Sequence, residues 1–200
     1  MMARWMSVVG ILSLSAAAWA YTVGDTVADF RLRNVDGTML ALSQYGREAR
    51  GVIVVFMCNS CPYVKAYEDR IIELHREFAP KGFPVLAIQP NDPERSPEDS
   101  YENMQRRAAQ KGYPFPYLWD ETQEVARQFG ARRTPQVYLL QRLGEHFRVV
   151  YIGAIDDNIE DPKAVSRRYV AEAIAAVLEG KTPPVTETRA IGCTIKWRRR

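Results

Sequence analysis

The clearest pattern in the chain is Val52-Ile53-Val54-Val55-Phe56, an unbroken apolar run made mostly of β-branched residues. Such a run predicts a central strand covered on both faces. Beyond it, Val64, Ile71, Leu74 and Phe78 keep helical spacing from about Cys61 to Phe78, and Lys81-Gly82 closes that helix. Val85-Leu86-Ala87-Ile88 predicts a second buried strand. Upstream, Phe30-Arg31-Leu32 and Met39-Leu40-Ala41-Leu42 alternate around an Asp36-Gly37 turn, the signature of a hairpin. Downstream, Asn91 to Pro97 is a polar loop leading to a helix near Glu98–Gln110, stopped at Gly112. Pro116 to Trp119 suits a short strand, and Thr122 to Phe129 a helix with Gly130 as its stop. Gln136 to Leu140 and Val149 to Ile152 read as a strand pair joined through Gly144. A last amphipathic helix is predicted from about Lys163 to Leu178, followed by Gly180.

Strands alternating with helices, then an antiparallel pair before a final helix, predict an α/β fold. The sheet is expected to be mixed and flanked by helices. The order β-α-β-α-β-β-α is that of the thioredoxin fold, here with an N-terminal hairpin and an inserted helical segment near residues 98–129.

The first twenty residues have a separate character. Arg4 gives a positive start, Met6 to Ala17 is apolar, and Ala18-Trp19-Ala20 is a small-x-small end. That order predicts a signal peptide over residues 1–20, cut after Ala20. Its apolar run is short of the ~20 residues a membrane span needs, so no stable span is expected after cleavage. The expected organisation is a thioredoxin-like domain over 21–182 and a tail over 183–200 that packs on it. The product would be exported, periplasmic or secreted. With 200 residues and 46% hydrophobic content, the chain can fill one core. A formal charge of +3 and no basic stripe beyond Arg198-Arg199-Arg200 argue against nucleic-acid binding.

Export changes how the three cysteines are read, because an oxidising compartment permits disulfides. Three is an odd number, so they cannot all pair within the chain. Cys58-Asn59-Ser60-Cys61 falls at the junction of the buried strand with the following helix. There the first sulfur is expected beside unsatisfied backbone N–H groups and the positive end of the helix dipole, which stabilise a thiolate. Cys58 is therefore expected to attack a disulfide, and Cys61, one turn on, to resolve the mixed disulfide. Pro62 suits a first helical turn, where its missing N–H costs nothing. Asn59 and Ser60 would tune exchange through their dipoles. Thr134-Pro135 opens a later strand and is a candidate cis peptide beside the dithiol. Zinc would need two further ligands, and His75 and His146 lack ligand spacing. Haem attachment would need a histidine where Pro62 stands. No cofactor or metal is expected, although an inert structural bridge is a further reading of the two cysteines.

These residues resemble the peroxiredoxin-like branch of the thioredoxin family, related to the redoxin and AhpC/TSA group. The resemblance is carried by Phe56 to Lys65, Pro97-Glu98-Asp99-Ser100, Phe115 to Ala126, Thr134-Pro135 and the segment Ile191 to Trp197. It implies a thioredoxin fold, a Cys58/Cys61 active site and Pro135 as its cis-proline. Met57 stands where thioredoxins proper carry tryptophan. The peroxiredoxin pattern Pro-x-x-x-Thr/Ser-x-x-Cys, laid on Cys61, falls on Val54 and Cys58, so its proline and hydroxyl are missing. Arg132 and Arg133 do not fill the role of the peroxide-binding arginine. Cys193 is either a small buried hydrophobe in a tail docked through Ile191, Ile195 and Trp197, or an additional redox thiol, as a second resolving thiol or a site of intermolecular pairing.

Three functions follow in order. The first is a thiol–disulfide oxidoreductase acting on protein or small-molecule disulfides, reset by an external thiol donor or acceptor. The second is a thiol peroxidase passing through a sulfenic acid. The third is a non-catalytic thioredoxin-fold binding module.

Overall fold

The computed structural model describes residues 20–199. The expected signal peptide over 1–20 lies, except for Ala20, outside the described residues. The strands are β1 (Thr26–Val27), β2 (Arg31–Asn34), β3 (Met39–Ala41), β4 (Gly51–Phe56), β5 (Val85–Gln89), β6 (Tyr117–Trp119), β7 (Arg133–Thr134), β8 (Gln136–Leu143), β9 (His146–Gly153) and β10 (Cys193–Thr194). The helices are α1 (Pro62–Phe78), α2 (Tyr101–Lys111), α3 (Glu124–Phe129) and α4 (Tyr169–Leu178).

Eight strands form one sheet in the order β1-β9-β8-β4-β5-β6-β2-β3, and β10 pairs with β7 separately. β4, β5 and β6 run parallel, and β8 returns antiparallel beside β4. The sheet is therefore mixed, with β4 at its centre. The apolar run explains that position, since every residue of β4 is buried. Alternation divides its side chains between two layers. Ile53 and Val55 meet α1, α2 and α4 through Val64, Ile71, Met104, Val170 and Ile174. Val52, Val54 and Phe56 meet α3 through Val125, Ala126 and Phe129, and Ile195 of the tail joins that second layer. Helices thus flank both faces, the thioredoxin arrangement.

The final helix begins later than its apolar spacing predicts, at Tyr169 rather than Lys163. Residues 162–164 make one 3-10 turn, and the segment after it is tied to the loop before it. Asp157 accepts from both the N–H (3.0 Å) and the hydroxyl of Ser166, and its own N–H donates to the Arg167 carbonyl. Those local bonds compete with helix formation. The inserted helix likewise starts at Tyr101, because Ser100 caps it by accepting from Asn103 N at 3.3 Å, and Pro97–Asp99 forms a separate 3-10 turn. The two-residue strands β1, β7 and β10 carried no readable alternation.

Residues 183–199 run back over the domain. Thr188 N–H donates to the Ile152 carbonyl, and the Thr188 hydroxyl reaches Tyr151 and Ala154. This crossing needs glycine at 153, where a Cβ would lie 2.1 Å from Thr188 Oγ1 and 2.7 Å from its carbonyl oxygen. Among the described residues no helix is long and apolar enough to cross a membrane.

Candidate active site

The end of β4 and the start of α1 place Cys58 and Cys61. Both are almost completely buried, at 1% and 2% exposure. Met57, between strand and dithiol, is buried too, and its N–H donates to the Ile88 carbonyl. Cys61 is the N-cap residue of α1 and Pro62 is the first helical residue. The Thr134–Pro135 peptide bond is cis, and β7 brings it against both sulfurs. Cys58 Sγ lies 3.3 Å from Thr134 Oγ1, and Cys61 as a thiol donates to the Thr134 carbonyl oxygen at 3.1 Å.

Of the backbone donors expected beside Cys58, the Cys61 N–H serves it and two others are engaged by Asp99. Asn59 N–H and Ser60 N–H both donate to Asp99 Oδ1, at 2.7 and 2.9 Å. The other oxygen of Asp99 accepts from the hydroxyls of Ser60 (2.8 Å) and Ser96 (2.7 Å) and from Asn91 Nδ2 (2.8 Å). Asp99 is fully buried, so these five donors take the place of water around its charge. Asn59 is fixed further by donating to the Glu98 carbonyl and accepting from the Tyr117 hydroxyl.

This polar cradle was missed in the sequence. The loop holding Asn91, Asp92 and Ser96 is polar in composition yet buried in the fold. Asp99 lay in a segment that carried the resemblance but had no assigned part. Apolar periodicity locates cores and cannot single out a buried carboxylate.

Electrostatically the two thiols diverge. Cys58 is pushed well above the ordinary thiol range by its hydrogen bond to Cys61, by burial, and by the nearby Asp99 carboxylate. Cys61 is held down at about 5, chiefly by accepting from Cys58, with further help from the Cys193 thiol and the Val64 and Cys193 N–H groups, against the effect of burial. The largest influence on each thiol is the other, so the two titrate as a pair at the start of α1, where the dipole favours negative charge.

Cys193 is the third member of the cluster. Its Sγ is 2.7 Å from Cys61 Sγ, and burial pushes its thiol up to about 11. A cavity of about 650 Å³, lined by Arg70, Glu73 and Asp156 among others, lies along α1 and includes none of the three thiols. Among the described residues no group of His, Cys, Asp and Glu could hold a metal ion.

Comparison with known proteins places this chain in a family. A solved structure of an uncharacterized conserved protein from Geobacillus kaustophilus is 39% identical, with a TM-score of 0.81, over 88% of this chain and 93% of that one. The thiol–disulfide oxidoreductase ResA of Halalkalibacterium halodurans is 24% identical over 78% of this chain and 91% of its own length. The peroxidoxin BcpB of Mycobacterium tuberculosis shares the fold, with a TM-score of 0.54 and 24% identity over 65% of this chain and 83% of that one. Residues 23–155, which hold the dithiol, Asp99 and Pro135, match the AhpC/TSA family, and the chain belongs to that family.

Proposed function

We propose that this chain is a thiol–disulfide oxidoreductase whose redox couple is Cys58 and Cys61, with Cys58 attacking the disulfide and Cys61 resolving it. The observation that carries this reading is the placement of the two sulfurs: Cys58 follows β4, receives the Cys61 N–H and lies 3.3 Å from Thr134 Oγ1, and Cys61 stands beside it as the N-cap of α1. A thiolate is the nucleophile of disulfide exchange, and a neighbouring thiol within reach closes the cycle. Asp99 takes the N–H groups of Asn59 and Ser60, and the Cys61 N–H is the backbone donor that supports a thiolate on Cys58. Asn59, Ser60 and Thr134 hold the pair in place, and Pro135 presents Thr134 to both sulfurs.

The substrates are protein or small-molecule disulfides, and an external thiol donor or acceptor resets the couple. The name of the ResA relative supports this class. The signal-like residues 1–20 support an exported, periplasmic or secreted protein, with the domain over 21–182 and the tail over 183–200.

The test is an ultraviolet thiolate titration joined to disulfide exchange with oxidised glutathione. The reduced wild type should show one thiolate below the ordinary thiol range. Cys58→Ser should lose exchange, and Cys61→Ser should stop at a mixed disulfide between Cys58 and glutathione. A mixed disulfide that forms on Cys61 in Cys58→Ser but not on Cys58 in Cys61→Ser would reverse the order of attack. Consumption of hydrogen peroxide faster than glutathione exchange would turn the reading into a peroxidase. A Cys58–Cys61 bridge inert to both reagents would leave a binding module.

A further inference from the structure

We propose that Cys193 is a third thiol of the exchange site, so that Cys61 is bridged alternately to Cys58 or to Cys193 and the two disulfides interconvert within the chain. This rests on the exchange reading above and deepens it.

The placement of Cys193 is built rather than incidental. β10 pairs antiparallel with β7, and Cys193 stands opposite Thr134, the residue whose side chain and carbonyl already touch Cys58 and Cys61. Before it, Gly192 lies so close to β7 that a Cβ there would be 2.2 Å from the Thr134 carbonyl oxygen. The Gly192 carbonyl accepts from Arg133 Nη1 at 2.9 Å. After it, Ile195 is buried and its N–H donates to the Arg132 carbonyl at 3.1 Å. Lys196 is fixed through both main-chain groups, its N–H donating to Asn91 Oδ1 and its carbonyl accepting from Asp92 N, each at 2.9 Å. A thiol meant only to fill space needs neither this two-sided anchoring nor contact with the most acidic sulfur of the cluster.

The interconversion needs no outside reagent. In the Cys58–Cys61 disulfide, the Cys193 thiolate attacks Cys61 Sγ. The Cys61–Cys193 bond forms, the Cys58–Cys61 bond breaks, and the electron pair leaves on Cys58. Cys58 then takes up the proton that Cys193 gave up, so no electron enters or leaves. The step is helped by the bridge itself. The charge on Cys61 is one of the influences that raise Cys193, and it disappears once Cys61 is in a disulfide. Because the sulfurs are already in contact, no chain entropy has to be spent on bringing them together.

The experiment is disulfide mapping by mass spectrometry of the full chain, oxidised with one equivalent of diamide and quenched in acid. Wild type, Cys58→Ser and Cys193→Ser are compared, with melting temperature as a check on folding. Cys58→Ser should form the Cys61–Cys193 bridge, and wild type should hold both isomers within about tenfold of each other. The proposal is overturned if the Cys61–Cys193 isomer of wild type falls below that range. It is equally overturned if folded Cys58→Ser, treated in the same way, forms no Cys61–Cys193 bridge. Cys193→Ser separates the two claims, because its failure to form or exchange a Cys58–Cys61 bridge would remove the parent reading.

Discussion

Asp99 and Ser60 are joined twice, by the Ser60 N–H to Oδ1 at 2.9 Å and by the Ser60 hydroxyl to Oδ2 at 2.8 Å. A carboxylate thus holds the turn between the two cysteines and at the same time raises the Cys58 thiol. Asp99→Asn removes the charge and turns one acceptor into a donor facing donors. Hydrogen bonds to charged groups contribute about 1.5–3 kcal/mol, so a loss of about 2–3 kcal/mol is expected. That corresponds to a fall in Tm of roughly 4–12 °C for a chain of this size. The Cys58 thiol should also titrate lower in the variant. Calorimetry and thiol titration check both, and an unchanged Tm would mean the carboxylate does not hold this turn.

Asp120 gives the stability a pH dependence with a defined sign. It is buried and accepts from Ala126 N at 2.7 Å and Val125 N at 3.4 Å at the start of α3. Burial nevertheless pushes it up to about 6, above the 3.8 of an open aspartate. The folded state then holds the proton more tightly. The associated stability is fully present below pH 3.8 and is lost as pH rises through 6. The linkage amounts to on the order of 3 kcal/mol. By urea unfolding, the change in unfolding free energy between pH 4 and pH 7 should differ between Asp120→Asn and wild type by that order. The two proteins are compared at each pH because reduced Cys61 acts with the opposite sign. Its depressed value gives stability that is present above the ordinary thiol range and lost as pH falls through 5. Parallel curves would reject the assignment to Asp120.

Gly192→Ala should lift the tail from β7. The added Cβ meets Thr134 and Pro135 backbone atoms at 2.2 to 3.0 Å, and backbone cannot move aside as a flexible side chain can. Overpacking of this kind typically costs about 1–3 kcal/mol. Amide exchange at Ile195 and Lys196 should quicken while β4 and β5 stay protected. Uniform protection would show that the contact is relieved some other way.

Arg70 anchors the 156–159 loop to α1. Its Nη1 donates to Asp156 Oδ2 at 2.7 Å and to the Asn158 carbonyl at 2.5 Å, and Nη2 donates to the Ile159 carbonyl at 2.7 Å. Asp156 is nearly fully buried. Arg70→Ala leaves that carboxylate without its cation, an omission that costs about 3–5 kcal/mol in buried pairs. A chemical denaturation midpoint unchanged by the substitution would place the pair among the inconsequential ones.

The central layers were legible because β4, β5 and α1 bury long, regular apolar patterns that local sequence displays directly. Lys163 to Ala164 misled because an amphipathic spacing continued past the point where Asp157 captures Ser166. The Cys58/Cys61 pair was visible as a motif at a strand–helix junction. Its electrostatics was not, since Asp99 stands about forty positions away and reaches the dithiol only through the fold. The place of Cys193 was equally hidden, because two-residue strands leave no period and β10 meets β7 across some sixty residues.

The distance along the chain between Cys61 and Cys193 also orders events in time. Cys193 is added 132 residues after Cys61. At ordinary rates of synthesis that is a delay of about 7–26 s. Throughout that interval Cys58 is already within four positions of Cys61 and Cys193 does not yet exist. Were the growing chain to meet an oxidant during that interval, the near pair would close first, and the distant sulfur would arrive as a late competitor for a bond already open to it.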